Sequence, residues 1–475
     1  MKKAFRLSAM TMLASAALVT AAVPAMAGVS ASQAIINNSQ ALKAAPSSAI
    51  KTGGSSFDAN LLNAAISLYK LHGANNSAAL ASYASTSSGT GRAGVTGGTL
   101  DIGFSDVPLN YAGADGVTAS NYVQVPVALG GVAIIANLTF VPSVTESAVA
   151  PNTGADVTDT HVLTGSKDTI ANTCKALFAK QPLLLNGSTL ASIFNGDITS
   201  WDNAALKTLN PLTVKIAAPM TAAVTGAHPK AEKFTAITVN CLSLLTQETI
   251  KVISRTAGSG TTFMFTDYLN QVAPSKFPSA TQAAFTHASA TQSNSANLAS
   301  AVHSTEGSIG YVEYGYALLN NETPARMVNA SGATVSLNAA SVAAAATDGL
   351  AAITGSNSTC SGKAFSLNGG NYVDATSVVD TSCFTINNAP GAKDWPIVGF
   401  SYAITPKTTT VNANNTAIAK FLMFLTQSGK GTSASTTFGQ NLAPAQAYVA
   451  LPAALSTVAY NAIVAGLGSN VSATN

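Results

Sequence analysis

Residues 250–262 read Ile250-Lys251-Val252-Ile253-Ser254-Arg255-Thr256-Ala257-Gly258-Ser259-Gly260-Thr261-Thr262, and Phe263-Met264-Phe265-Thr266-Asp267-Tyr268-Leu269 follow. Ile250 to Ser254 predicts a strand, Gly258 and Gly260 break it, and apolar residues at i, i+4 spacing (Met264/Tyr268, Phe265/Leu269) predict a helix over Thr261 to Leu269. Strand, glycine-rich turn and helix form a unit that builds anion sites, because unpaired N–H groups at a helix N-terminus face outward. The glycines let backbone approach a ligand closely. Ser259, Thr261 and Thr262 add hydroxyls, and Arg255 adds a planar fork of donors. Together these suit a tetrahedral oxyanion. The segment is not a P-loop, since Gly-x-x-x-x-Gly-Lys-Ser/Thr is absent. Taken alone, it also fits a Ser-capped helix start with Arg255 in a surface pair.

On either side of this segment, strands and helices alternate. A helix is expected from Phe57, after Gly53-Gly54-Ser55-Ser56, with Leu61, Leu62, Ala65, Ile66 and Leu68-Tyr69 at helical spacing. Ser85 to Thr99, rich in Gly, Ser and Thr, reads as a loop. Leu100 to Phe104 reads as a strand leading into Ser105-Asp106-Val107-Pro108. Val123 to Leu138, broken by Gly130-Gly131, reads as a pair of buried β segments. Further strands are expected at Ile309 to Val312 and Ile397 to Ile404. Helices are expected around Ile170 to Phe178, Leu190 to Phe194, Asp202 to Leu209, Ala417 to Leu425 and Ala453 to Leu467. The alternation indicates an α/β fold with mixed or parallel sheets.

The chain has 475 residues, enough for two ordinary domains with buried cores. Only 9% are charged and 47% are hydrophobic, which excludes disorder across the whole chain. Beyond the first 30 residues no uninterrupted apolar run approaches the ~20 needed to span a bilayer, so an integral membrane protein is excluded. Lys2, Lys3 and Arg6, an apolar stretch to Val23 and Ala25-Met26-Ala27 predict a signal peptide over residues 1–27. Its loss takes Lys+Arg from 23 to 20 against 20 Asp+Glu, a mature net charge of zero that disfavours a basic nucleic-acid binder. No Cys follows the expected cleavage site, so no lipid anchor is expected there.

Export permits disulfides. Four cysteines allow three connectivities. Cys360 and Cys383 are near in sequence and flank a Gly/Ser/Asn-rich stretch, which favours that pair and leaves Cys174 with Cys241. A metal site is disfavoured, since Cys-x-x-Cys is absent and the five His are scattered. No metal or other cofactor is expected.

Ile253 through Leu269 resembles the signature of the periplasmic phosphate-binding protein of the phosphate ABC transporter, and of its exported DING-type relatives. Four more segments agree in order: Gly53 to Phe57, Phe104 to Leu109, Thr189 to Ile198 with Trp201, and Gly307 to Tyr314; Trp395-Pro396-Ile397 fits the family's return strand. The resemblance implies a two-lobed, type II periplasmic-binding-protein fold with mixed sheets and a two-strand hinge near Val125 and Pro396. One lobe would be 28–127 plus 396–475 and the other 128–395, with insertions near 142–182, 212–248 and 330–390. It implies phosphate contacts from Ser56, Phe57, Ser87 (or Ser88, where the alignment slips) and Asp106 on one wall. Arg255, Ser259, Gly260 and Thr261 would supply the other. Ala257 departs from the family, which commonly has an acidic residue there beside the arginine. Glu313, Tyr311 and Tyr314 read more cheaply as core and rim residues, and Trp201 and Trp395 as packing.

The expected function is therefore extracytoplasmic binding of inorganic phosphate for ABC-transporter uptake, without catalysis. The protein would be a monomer, periplasmic or secreted, with an inner-membrane permease as partner. Two alternatives stay open: an exported DING-type phosphatase, and a secreted or surface interaction protein that reuses the fold.

Overall fold

In the computed structural model the described residues are 42, 44–111, 113–141, 169–218, 235–354, 385–408, 413–428 and 438–467. The expected leader and the expected Cys360–Cys383 pair lie outside them. The strands are β1 (Thr52–Gly54), β2 (Ala84–Ser85), β3 (Ile102–Ser105), β4 (Tyr122–Ala136), β5 (Leu184–Asn186), β6 (Thr213–Ala218) and β7 (Thr235–Asn240). They continue with β8 (Lys251–Arg255), β9 (Ala290–Gln292), β10 (Ser308–Glu313), β11 (Arg326–Val328), β12 (Thr334–Val335) and β13 (Val398–Pro406). Eight of them form one mixed sheet in the order β2-β1-β3-β13-β4-β10-β8-β9. β2, β1 and β3 are parallel to one another, as are β10, β8 and β9. Between these groups the ladder is antiparallel, through β13 and β4.

β4 is one continuous strand of 15 residues, not the expected pair of segments. Its first part pairs with β13 as far as Gly131, and Val132 to Ala136 pair with β10. Gly130 and Gly131 do not interrupt it. They are places where large side chains press on the backbone: a Cβ on Gly130 would lie 2.9 Å from Phe57 Cζ, and one on Gly131 2.6 Å from Leu337 Cδ1. Two hydrophobic interiors meet along this strand. One gathers Leu62, Ile66, Tyr69, Phe104, Val125, Val127, Phe421 and Phe424. The other starts at Ala128 and gathers Ile134, Phe194, Trp201, Phe265, Leu298, Tyr311 and Trp395. Both tryptophans are packing residues whose indole N–H donates to a backbone carbonyl, Trp201 to Gly307 and Trp395 to Val132, each at 3.0 Å.

The stretch expected as a loop is a helix over Ser88–Thr96. Its glycines disfavour a helix in isolation, but they let it lie directly on the sheet. A Cβ on Gly91 would lie 2.3 Å from the Phe104 carbonyl oxygen, and one on Gly103 2.2 Å from the Gly91 carbonyl oxygen. Packing has overridden propensity here. In the stretches expected to be insertions, β6 and β7 form a two-stranded antiparallel sheet, and the helix Thr169–Lys180 is joined to the turn after β7 by the Cys174–Cys241 disulfide. No helix among the described residues is long and apolar enough to cross a membrane.

Candidate functional site at the strand ends

In open α/β sheets ligands sit beyond the carboxyl ends of parallel strands, where strand order reverses. Here six strand ends supply such residues: β1 leads to Ser55-Ser56-Phe57, β2 to Ser87-Ser88, β3 to Asp106, β8 ends at Arg255, β9 leads to Ser293 and Ser295, and β10 ends at Glu313. The two parallel groups thus present their ends to a common focus.

Four helices also begin there: Ala59–Lys70, Ser88–Thr96, Gly260–Val272 and Ser295–Ser304. Three have side-chain caps: Ser87 accepts from the Thr90 N–H, Ser259 from the Thr262 N–H and Asn294 from the Asn297 N–H. The first N–H groups of each helix have no partner within it, and each N-terminus carries roughly half a positive charge. The local field therefore favours an anion.

The contacts fall into two linked groups. In the first, Asp106 is buried at 3% exposure and accepts hydrogen bonds from Ser55 Oγ, at 2.7 Å to both carboxyl oxygens, and from Ser88 Oγ at 3.1 Å. Gly260 reaches this group from across the sheet. A Cβ there would lie 2.2 Å from Ser88 Oγ and 2.4 Å from Asp106 Oδ2, so only glycine allows the approach. Alongside, the Gly89 N–H donates to the Gly258 carbonyl at 3.0 Å, and Gly258 takes a positive φ of 88°.

In the second group, the Arg255 guanidinium is 1% exposed and donates to Ser56 Oγ at 3.0 Å, Ser295 Oγ at 2.8 Å and the Ser293 carbonyl at 3.1 Å. Ser295 Oγ and Thr261 Oγ1 both donate to Glu313 Oε1 at 2.8 Å. The other buried arginine among the described residues, Arg92, is neutralised by Asp115, with Nε 2.9 Å from Oδ2. Arg255 has no such carboxylate in direct contact among the described residues, and the nearby acid is Glu313, one hydroxyl away.

Burial sets the protonation chemistry. It pushes the Asp106 carboxyl up to about 7, against the hydrogen bonds from Ser55 and Ser88, with the Glu313 charge adding to the rise. Asp58, beneath the site and hydrogen-bonded to Ser401 and Tyr83, is held well above the carboxylate range by burial and then by Asp106. Burial also raises Glu313, while Arg255 pulls it back.

Of the residues expected from sequence, Ser56 is hydrogen-bonded to Arg255, Thr261 joins Arg255 through Glu313 and Ser295, and Gly260 lies against Asp106. Phe57 lies beside them, its N–H donating to Ser55 Oγ at 2.9 Å. Ser259 is the cap at the head of its helix. Ser87 is likewise a cap, and it is Ser88 that faces Asp106. Sequence reasoning missed Ser55 and Ser295 and set Glu313 aside as a core or rim residue. Asn294 before Leu298, Ala299 and Val302 at helical spacing carried a legible start signal for the helix that brings Ser295.

A mixed sheet with two parallel groups and helix N-termini aimed at one focus has the architecture of a solute-binding protein. The chain belongs to the family described as the PBP superfamily domain, whose model matches residues 39–428. It is 27% identical over 351 residues to the phosphate-binding protein PstS of Xylella fastidiosa strain Temecula1, covering 73% of this chain and 70% of that one. It is also 27% identical over 266 residues to the phosphate-binding protein PstS of Pasteurella multocida, covering 56% and 57%. Both relatives bear the names of binding proteins, not enzymes. Among solved structures, the fold is shared with a high-affinity periplasmic phosphate-binding protein, PfluDING, at TM-score 0.52 and 17% identity over 88% of this chain and 99% of that one. A DING protein matches at TM-score 0.51 and 18% identity over 86% and 92%.

Proposed function

We propose that this chain binds inorganic phosphate at the focus of the strand ends, outside the cytoplasm, and hands it to an inner-membrane ABC transporter. The observation that carries the reading is the joining of the Arg255 fork and the Gly260–Val272 helix start from one side of the sheet with Ser56 and Asp106 from the other. The names of the related proteins agree with it. In this reading 28–127 with 396–475 and 128–395 are two lobes hinged where β4 and β13 run side by side. The anion then favours the closed arrangement by the difference in its affinity for the two states. Ser56, Phe57, Ser87 or Ser88, and Asp106 form one wall, and Arg255, Ser259, Gly260 and Thr261 the other.

Asp106 supplies selectivity. A carboxylate facing an anion repels it unless the anion brings a proton, as mono- and dibasic phosphate do and sulfate at neutral pH does not. A carboxyl raised to about 7 is ionised, and so acts only as an acceptor, above that pH, and the discrimination against sulfate sharpens as pH rises through it. An unpaired buried acceptor costs about 1–3 kcal/mol, more when charged. The test is calorimetric titration with phosphate, sulfate and arsenate at two pH values. Micromolar or tighter phosphate binding, about −8 kcal/mol or better, with arsenate following and sulfate too weak to measure, is expected. Equal affinity for phosphate and sulfate sinks the role given to Asp106.

A further inference from the structure

Glu313 closes β10 and occupies the N-cap position of the helix Tyr314–Leu319, yet its carboxylate makes no capping hydrogen bond. It turns instead toward the second contact group. Oε1 accepts from Thr261 at the head of one site helix and from Ser295 at the head of another. Ser295 Oγ is in turn a contact of Arg255 Nη1. The residue is 1% exposed, and its Oε2, like Arg255 Nε, has no hydrogen-bond partner among the described residues. A carboxylate that only completed a core would have both oxygens satisfied, because a buried unpaired one is costly.

We propose that Glu313 is a positioning carboxylate of the anion site, holding the Arg255 fork in place through Ser295 and coupling anion uptake to uptake of a proton. This rests on the phosphate-binding reading and deepens it. The positioning half follows from geometry: without Glu313, Ser295 and Thr261 lose their common acceptor, and the Ser295 hydroxyl that accepts from Arg255 Nη1 is no longer held in place. The proton half follows from charge. Arg255 is the cation facing Glu313, and the other titratable groups that feel its charge are Asp106 and the phenols of Tyr316 and Tyr448. All of these are negative or neutral. An incoming anion adds negative charge to the same enclosure, so Glu313 holds a proton more tightly in the complex than before it. Phosphate affinity then falls as pH rises, beyond the fall or rise set by the phosphate's own ionisation.

Calorimetric titration with phosphate at pH 6 and 8.5, each in two buffers of different ionisation enthalpy, tests this on the wild type, Glu313→Ala and Glu313→Gln. Glu313→Ala is expected to weaken binding at least tenfold at both pH values. Glu313→Gln keeps an acceptor oxygen and should recover most of that loss at pH 6. Between pH 6 and 8.5 it should lose at least threefold less affinity than the wild type and take up fewer protons. Should Glu313→Ala fail to fold, Ser295→Ala cuts the same link with the carboxylate kept, and should weaken binding at least fivefold. Affinity within twofold of the wild type in whichever of these two is measured overturns the positioning role. A pH profile of Glu313→Gln parallel to that of the wild type overturns the proton coupling. A wild type that binds no phosphate at all is a different result: it overturns the functional reading and this inference with it.

Discussion

Asp106→Asn should make the protein less sensitive to alkaline pH. The wild-type carboxyl is buried at 3% exposure and pushed up to about 7 from an ordinary 3.8. A raised carboxyl binds its proton more tightly in the folded state than in the unfolded state. Its contribution to stability is therefore full below about pH 4 and is lost as pH rises through 7. The distance from 3.8 to about 7 corresponds to about 4 kcal/mol at 1.36 kcal/mol per pH unit, of which about 2.5 kcal/mol falls between pH 5 and pH 8. Asparagine keeps one oxygen to accept from Ser55 and Ser88 and has no proton to lose. Urea denaturation of both proteins at pH 5 and pH 8, without phosphate, reads the difference. Asp267, another raised carboxyl, is common to the two proteins, whereas Asp58, which the Asp106 charge helps to raise, loses part of its rise in the variant and so changes the difference in the same direction. The variant should close at least 1.5 kcal/mol of the wild-type loss across this interval, the lower figure allowing for relaxation around the buried group. Parallel stability curves would refute the claim that burial holds a proton on Asp106.

Arg255→Ala should weaken phosphate at least tenfold in calorimetry, and Arg255→Lys should restore little, because an ammonium cannot reproduce the planar fork to Ser56, Ser295 and Ser293; an unchanged constant moves the site elsewhere. Gly260→Ala puts a methyl against Ser88 Oγ and Asp106 and should cost at least tenfold in phosphate affinity with a small change in melting temperature. Wild-type affinity would mean that this close approach is not needed for binding. Gly131→Ala sets a methyl against Leu337, Val342 and Trp395 and should destabilise by about 1–3 kcal/mol in denaturant, through overpacking; no loss would mean the three side chains yield freely. Cys174→Ser with Cys241→Ser opens a link between residues 67 apart and should cost up to about 4 kcal/mol, leaving phosphate affinity within twofold. A large affinity change would tie that disulfide to the site.

Much of this arrangement is legible in the amino acids themselves. Val252-Ile253 ahead of Gly258-Ser259-Gly260 announces strand, turn and helix, and those residues fold so, because β-branched residues, glycine and a serine cap each agree with the outcome. The helix after Phe57 and the α/β class are legible in the same way. What fails does so where one residue's environment is made by distant chain. Gly91 reads as a helix breaker until Phe104 lies against it, and Gly130-Gly131 reads as a turn until Phe57 and Trp395 fill the space beside it. Glu313 reads as strand-end filler, since nothing in Gly310-Tyr311-Val312-Glu313 reveals Ser295 and Thr261 around its carboxylate. Ser87 and Ser88 are hard to tell apart for a related reason: both are serines, and only the helix start separates a cap from a residue facing inward.

The unbroken run of β4 has a consequence for anyone wishing to take the molecule apart. Val127 belongs to one interior and Ala128 to the other, with a single peptide bond between them. A gene cut at that bond would strip each fragment of a central ribbon and leave an apolar slot open to water. The two halves are therefore not portable parts that could be expressed alone or recombined with other partners. Any dissection or chimaera must carry the whole strand across, together with the length of β13 that lies beside it.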